Sequence, residues 1–569
     1  MIQNAARPAS RAISQWREAA VSLETALNKY LELSISLNES VSPKDTPPKE
    51  LVTEIDSALE WIQGTIVQKA FRVRATLAQM RNRALSPAYC LPHEVLSEIF
   101  TSVVFAPLEL PPIAPHPLKT RLTHMYKGLY KLLGVCTVWR DVAFDYGLFW
   151  SIIPILDSPL RSPIFKTSSS VPIHILERSK GDLHLVATQA CDSSCESTLV
   201  ESAPRFRTVN ISTNSLFTVR NILNIFLQEN SPERVALSEL SIYQDQENSY
   251  YDVLLHEEDN VFPLDSMEQH LLKKLVFNLS ALRIRGAQLP WQMFNYCHRL
   301  TELHIQEVQF GYDTEVAGFI STLSSASELR VLKLISVRSF YDSALDNNIP
   351  QIQLPNLKTL LADDLYFNTL NVFLSSITSR SHSLILLLSG RSLYVRLRRI
   401  PRELEEVSWE TLYELLRNAL VRELLIAGDS IDPWPSPSPT ALGELIKSVA
   451  PSLETLWMNS WNFDTAYSNI LTHNSLSQQS QAPKLINLRI TGAKVYNLES
   501  LVDMVASHSS SIQQVQLGLA IQDDGEDKWT PVKEDHLLVS RLKDVMPVCQ
   551  IVDYRVYPLE FEDAPWQLW

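Results

Sequence analysis

Leu300-Thr301-Glu302-Leu303-His304-Ile305-Gln306-Glu307-Val308-Gln309-Phe310 carries the pattern on which the reading of the fold turns. Apolar residues stand at its first, fourth, sixth and eleventh positions. The spacing recurs as Phe206-Val209-Ile211-Leu216, Leu237-Leu240-Ile242, Leu279-Leu282-Ile284-Leu289, Leu329-Leu332-Leu334 and Leu357-Leu360-Ala362-Phe367. It returns as Val421-Leu424-Ile426-Ile431, Leu453-Leu456-Met458-Phe463, Leu485-Leu488-Ile490-Val495 and Ile512-Val515-Leu517. A weaker copy, Leu386 and Leu388 with Leu393, sits in the one double-length gap. Starts fall mostly about 27–32 residues apart, close to the period of a repeat array.

Alternating fourth and sixth positions suit a strand with one buried face. Helix-like stretches lie between the strands: Val316 to Leu323, Leu370 to Ile377, Leu404 to Leu420, Leu442 to Val449 and Leu498 to Val505. A strand–helix unit of this size cannot bury its own face, so units must stack. The expectation is an irregular leucine-rich-repeat-like α/β solenoid, a horseshoe with strands on one side and helices on the other. A generic α/β domain whose strands happen to read this way is the weaker alternative, because about ten copies recur. Regular repeats place Asn at the ninth position. Here that position holds Asn214, Asp245, Ala287, Val308, Val337, Leu365, Asp429, Trp461, Ala493 and Ala520, so irregular curvature is expected. The Ser/Gln-rich stretch Asn469 to Gln481 reads as a loop, Gln550 to Tyr557 as a last strand, and Trp566 and Trp569 as part of an apolar capping tail.

Upstream, residues 11–35 read as a helix, with Ile13, Trp16, Ala20, Leu23, Leu27 and Leu31 at helical spacing. Ser42 to Lys49 breaks it with prolines. A second helix is expected from Leu51 to Ala84, with a stripe that is not a clean heptad; the two can pair as a hairpin, form a short coiled coil, or simply pack on the next domain. Next, Pro92 opens a helix at its first position, and Val95, Leu96, Ile99, Phe100 and Val103 share one apolar face. A proline-rich insert, Phe105 to Lys119, separates this from Leu132, Val135, Cys136, Trp139, Val142 and Ala143, where the helical pattern resumes. Cys136 reads as a small core residue within that helix. The resulting division is 1–84, a helical lead-in; 85–155, a small helical domain; and 156–569, the repeat domain.

Composition narrows the function. The chain has 569 residues, enough for more than one domain, and a formal net charge of -14, which argues against nucleic acid as the main partner. The stretch Met1 to Glu18 does not read as a signal peptide, and the densest apolar run, Leu384 to Leu388, is too short to cross a bilayer. Six scattered cysteines imply a reducing compartment, cytoplasmic or nuclear, in which the N-x-S/T matches at Asn38, Asn210 and Asn278 carry no meaning. Phosphate-binding glycine loops, a G-x-S-x-G elbow and paired zinc-ligand motifs are missing from the sequence; Cys191 and Cys195 have a metal-like gap but no second pair. No cofactor, metal site or catalytic group is expected.

Leu91-Pro92-x-Glu94-Val95-Leu96-x-x-Ile99-Phe100, then Val135-Cys136-x-x-Trp139-Arg140, then Leu148-x-Trp150, resembles the F-box. The lead-in with Leu85-Ser86-Pro87 and the stretch from Ile173 to Leu185 are similar to the large fungal group of F-box proteins with leucine-rich-repeat-like C-terminal halves. The resemblance implies a non-catalytic adaptor. Its F-box would pack on a Skp1-like partner, linked to a cullin–RING ligase of the SCF type, and the repeats would select a protein substrate. By motif matching, Leu91, Pro92, Leu96, Ile99, Phe100, Val135, Cys136 and Trp139 would meet the partner or hold the helices that do, while Leu148 and Trp150 would close the small domain. The alternative is a scaffold whose F-box is vestigial. Between the buried strand positions stand Arg283, His304, Lys333, Trp457 and Arg489, with Arg285, Gln306, Asn459 and Gln516. Such a face would suit an acidic or phosphorylated protein ligand, or be a solvated polar ladder with none.

Overall fold

The structure is a computed structural model. It describes residues 6–40, 49–85, 91–106, 118–156, 170–228, 237–245, 259–296, 298–345, 348–378, 382–398, 404–428, 437–450, 452–477, 485–522, 529–546 and 548–554. The expected capping residues Trp566 and Trp569 lie outside these. Two compact units are present, Met1–Pro92 and His93–Trp569.

In the first unit, helix Ala6–Ser40 is longer than the apolar spacing alone required. The second expected helix runs as Lys49–Trp61 and Gln68–Leu85 around a π-helical segment, Ile62–Val67. The π segment contains Gly64, whose lack of a side chain eases the wider turn.

The second unit opens with helices His93–Val104, Leu118–Leu133 and Thr137–Asp145. Three expectations change here. The middle helix was hidden by the insert, although Leu122, Met125, Tyr126, Leu129, Leu132 and Leu133 are buried at helical spacing. Cys136 lies outside a helix interior: it is the N-cap of the third helix, its Sγ accepting from the Trp139 N–H at 3.5 Å. Pro92 stands one residue before the first helix rather than inside it.

A mixed α/β architecture follows. Among the described residues, sixteen strands form one sheet, every pair parallel except the last antiparallel contact between Gln514–Gln522 and Trp529–Pro531. Along the main path of the sheet the strands follow one another in chain order. One ladder runs Leu240, Leu282, Leu303, Leu332, Leu360, Leu384, and the next runs Ile242, Ile284, Ile305, Leu334, Ala362, Leu386. These residues and the buried helix faces make one continuous core. A β-bulge at Arg422 lets Leu386 and Leu388 pair with Leu424 and Ile426, so the weak copy serves both neighbouring registers without turning its face.

The eighth position of the repeat explains the missing asparagine. Gly286, Glu307, Ser336, Asp364, Ser460 and Gly492 all occupy it, and all have φ between 49° and 74°. The left-handed residue swings the chain out of the strand, and its own N–H keeps pairing with the next strand: Gly286 to the Gln306 carbonyl at 3.0 Å, Glu307 to Ile335 at 2.9 Å, Ser460 to Thr491 at 2.9 Å. The ninth side chain is thereby free to point inward, and Ala287, Val308, Val337, Leu365, Trp461 and Ala493 are all buried there.

Two further expectations are corrected. Leu404 to Leu420 divides into a strand, Leu404–Glu406, paired with Tyr394–Arg396, and a helix, Trp409–Arg417. The helix begins where Ser408 caps the Thr411 N–H, so its apolar period starts late. The expected loop from Asn469 carries the end of helix Thr465–Ile470 and helix His473–Ser477. The last strand is Cys549–Ile551. Among the described residues, no helix is long and apolar enough to cross a membrane.

Candidate docking surfaces

Helix His93–Val104 has two apolar sides. Leu96, Phe100 and Val104 are buried, packed with Trp139, whose ring centroid is 4.9 Å from that of Phe100. One position earlier on each turn, Val95, Ile99 and Val103 are 41%, 43% and 44% exposed. A spacing of four places them in one stripe. The expected face thus separates into a core edge and a free edge, and Leu96 and Phe100 hold the helix rather than face outward. Val135 and Leu148 are also exposed, Cys136 and Trp139 are half-buried, and Trp150 is fully buried. Leu91 and Pro92, the last residues of the first unit, are exposed.

This helical group is fixed in place by contacts with the first strand, Ile152–Ile155, with helix Ser170–Arg178, and within itself. The Tyr126 hydroxyl donates to the Ile152 carbonyl at 2.5 Å, and burial drives its pKa up, so it stays a donor. Trp150 Nε1 donates to the Ala143 carbonyl at 2.8 Å. The Arg178 guanidinium lies 4.8 Å from the Phe144 ring centroid and 5.2 Å from that of Trp150.

The opposite face of the sheet holds the second expected surface. Arg283, His304 and Lys333 are direct neighbours on three adjacent strands. Trp457 and Arg489 are neighbours on two others. The two groups are separate, with Leu361 and Ile385 following Lys333 in its row. Arg283 is already satisfied: it donates to both Glu302 oxygens at 2.8 Å and to Glu239 at 2.9 Å. These bonds hold the Glu302 carboxyl below its usual range. Arg285 is clamped by Glu307 in the same way, at 2.9 and 3.1 Å. His304 is buried, and that burial pushes its pKa down to about 4, so it is neutral at pH 7. The basic row therefore carries less free charge than its sequence suggests. Glu239 and Glu302 were the missed residues; both stand at the third position of their repeats, on the same face as the fifth. At the other end, the Arg489 guanidinium stacks 4.8 Å from the Trp457 ring centroid, and Trp457 Nε1 donates to Thr491 at 3.0 Å. Trp457, Leu425 and Leu387, with half-buried Ile385, form an apolar cluster separate from the main core.

Asp313 is a buried acid that sequence reading did not single out. Ser339 Oγ and Asn368 Nδ2 donate to it at 2.5 and 2.8 Å. Burial outweighs those bonds and lifts its pKa to about 6. It ties helix Asp313–Leu323 to strand Arg338–Phe340 and helix Phe367–Ser376, which is a packing role. Cys195 is the third residue of helix Ser193–Ser202, whose cap is Asp192, and both it and Cys191 are buried. Among the described residues, no three His, Cys, Asp or Glu side chains gather as a metal site. The chain matches no protein-family model and no curated protein.

Proposed function

We propose that this chain is a substrate-recognition adaptor of an SCF-type ubiquitin ligase, with an F-box in the helices of 93–150 and a leucine-rich-repeat-like solenoid beyond it. The observation that carries the reading is the free stripe of Val95, Ile99 and Val103 on a helix whose other edge is already packed. Contiguous exposed aliphatic side chains on an ordered helix mark a protein partner, and the motif names a Skp1-like one. In this reading the stripe takes the partner, and Leu96, Phe100 and Trp139 shape it from beneath.

The recurring eighth-position turn supports the solenoid, because it gives six of the repeats the same exit from the strand. The sheet face opposite the helices is then the substrate side. Arg283 is held by its own glutamates, so an acidic or phosphorylated ligand would be read chiefly by Lys333 and by Arg489 on Trp457.

The scaffold reading, with a vestigial F-box, draws on a different observation. Tyr126 binds the helical group to the first strand and Arg178 binds it to helix Ser170–Arg178, which is reason enough to retain it without a ligase. Co-expression of the full chain with a Skp1-like protein decides between them. The adaptor reading expects co-elution on gel filtration that is lost in Ile99→Asp while the variant keeps its circular dichroism. A folded full chain that elutes alone supports the scaffold.

A further inference from the structure

Helix Ala6–Ser40 presents an apolar face that the other described helices of the first unit do not bury: every side chain from Arg11 to Ser40 is exposed. The exposed set includes Ile13, Trp16, Leu23, Leu27, Tyr30 and Leu37, at 42–60% exposure. With Ala20 and Ser34 they follow strict alternating steps of three and four: 13, 16, 20, 23, 27, 30, 34, 37. This is a heptad seam, with Ile13, Ala20, Leu27 and Ser34 at one core position and Trp16, Leu23, Tyr30 and Leu37 at the other. The helix carries four basic and four acidic residues, a balance unlike that of helices that lie on anionic membranes.

We propose that this helix pairs with the same helix of a second copy of the chain, antiparallel, to make a homodimer. The flanking residues choose both the partner and the direction. On one flank stand Arg17, Glu24 and Leu31 at heptad spacing; on the other stand Ala12, Ala19, Ala26 and Leu33. In a parallel pair each flank meets the opposite one, so Arg17 and Glu24 would face only alanines. In an antiparallel pair each flank meets itself. Centring the pair between Ala20 and Leu23 layers Ala20 on the second copy's Leu23, Trp16 on its Leu27, and Ile13 on its Tyr30. Arg17 then lies beside Glu24 of the second copy, and the two-fold axis repeats the pair. The alanine flank lets the two helices approach closely.

The size of the contact fits a reversible dimer. Overlap from residue 6 to residue 37 at a rise of about 1.5 Å per residue is roughly 45 Å long. A strip about 10 Å wide on each helix totals on the order of 1,000 Å², near the lower bound of specific interfaces.

Sedimentation equilibrium of the full chain up to tens of micromolar tests this. The expected mass is twice the 64.6 kDa of the chain, falling to that of the monomer in Leu23→Asp/Leu27→Asp. These side chains are exposed, so the thermal midpoint of the sheet unit should not move. Glu24→Arg, which sets arginine against Arg17, should weaken the dimer at least tenfold, and Arg17→Glu/Glu24→Arg should restore it. A wild-type chain that remains monomeric throughout overturns the proposal, as does a dimer indifferent to the double aspartate variant. A dimer that ignores Glu24→Arg overturns the antiparallel arrangement.

Discussion

Replacing Gly286 and Gly492 with alanine, one at a time, isolates what the eighth position of the repeat demands. Both residues have left-handed backbones, at φ 74° and 59°, so both variants carry the ordinary left-handed cost of about 1 kcal/mol. Their surroundings differ. A methyl at Gly286 would sit 2.1 Å from the Gln244 carbonyl oxygen, an atom of the neighbouring strand's backbone. A methyl at Gly492 would sit 3.2 Å from Ser460 Oγ and 3.3 Å from Asn459 Oδ1, both ends of side chains that can turn. Relief at Gly286 requires it to move about 1 Å away from Gln244, toward the strand on its other side, to which its N–H already bonds at 3.0 Å through the Gln306 carbonyl, and this overpacking adds about 2–3 kcal/mol. The expected losses are about 3–4 kcal/mol for Gly286→Ala and about 1 kcal/mol for Gly492→Ala. Urea denaturation followed by circular dichroism reads both, provided the slope with urea is unchanged. Equal losses, or a tolerated Gly286→Ala, would refute the reasoning.

Asp313 has a folded pKa of about 6, above its unfolded value; the stability it contributes is full below about pH 4 and is lost as pH rises through 6, on the order of 3 kcal/mol in all. Asp313→Asn should therefore melt higher than wild type at pH 8 and lose that advantage by pH 4, and a pH-independent difference in melting temperature would contradict it. His304 has the opposite sign: with a folded pKa of about 4, it contributes stability above its unfolded value near 6.5 that is lost as pH falls toward 4, again on the order of 3 kcal/mol. His304→Gln should flatten that acid limb in the same melting series; an unchanged limb would show that another group sets it. Phe100→Ala should cost about 3–5 kcal/mol and Leu96→Ala about 2–5 kcal/mol. Val95→Ala and Ile99→Ala should each cost about 1 kcal/mol or less by the same denaturation assay; the reverse order would invert the two edges of the helix.

The ladder of the sheet was legible because its signal is local. Steps of three and two between apolar residues mark a strand whichever partner it finds, and Leu282, Leu303 and Leu332 fall into register as the spacing requires. The turn was legible only in part. Asparagine is missing at the ninth position, whereas the physical regularity lies one residue earlier, in a backbone angle that Glu307, Ser336 and Asp364 adopt at a cost that Gly286 does not bear. Side-chain chemistry signals do not announce backbone angles.

The candidate surfaces show a second limit. Arg283 looks like a free cation in the sequence, because its partners stand 44 and 19 residues away on adjacent strands. The third-position glutamates could have been paired with the fifth-position arginine once the strands were placed side by side. Helix His93–Val104 was recognised as apolar, yet a single face was drawn where two exist. A helix turning by 100° per residue puts Val95 and Leu96 on different edges, and only the packing of Trp139 on Phe100 says which edge is free. Cys136 failed for a related reason: a thiol at a helix start is unusual among capping residues, so nothing local distinguished cap from core.

Calorimetric titration of the full chain with a Skp1-like protein, for wild type and for Ile99→Asp, tests the central claim most directly. Burying the exposed part of Val95, Ile99 and Val103 contributes roughly 1 kcal/mol each, and a charge at Ile99 removes its share and adds a desolvation cost. The adaptor account predicts submicromolar binding by wild type, a loss of at least about 100-fold in Ile99→Asp, and no change in Lys333→Glu on the distant sheet face. A folded wild-type chain that does not bind, or an Ile99→Asp variant that binds as wild type does, would contradict it.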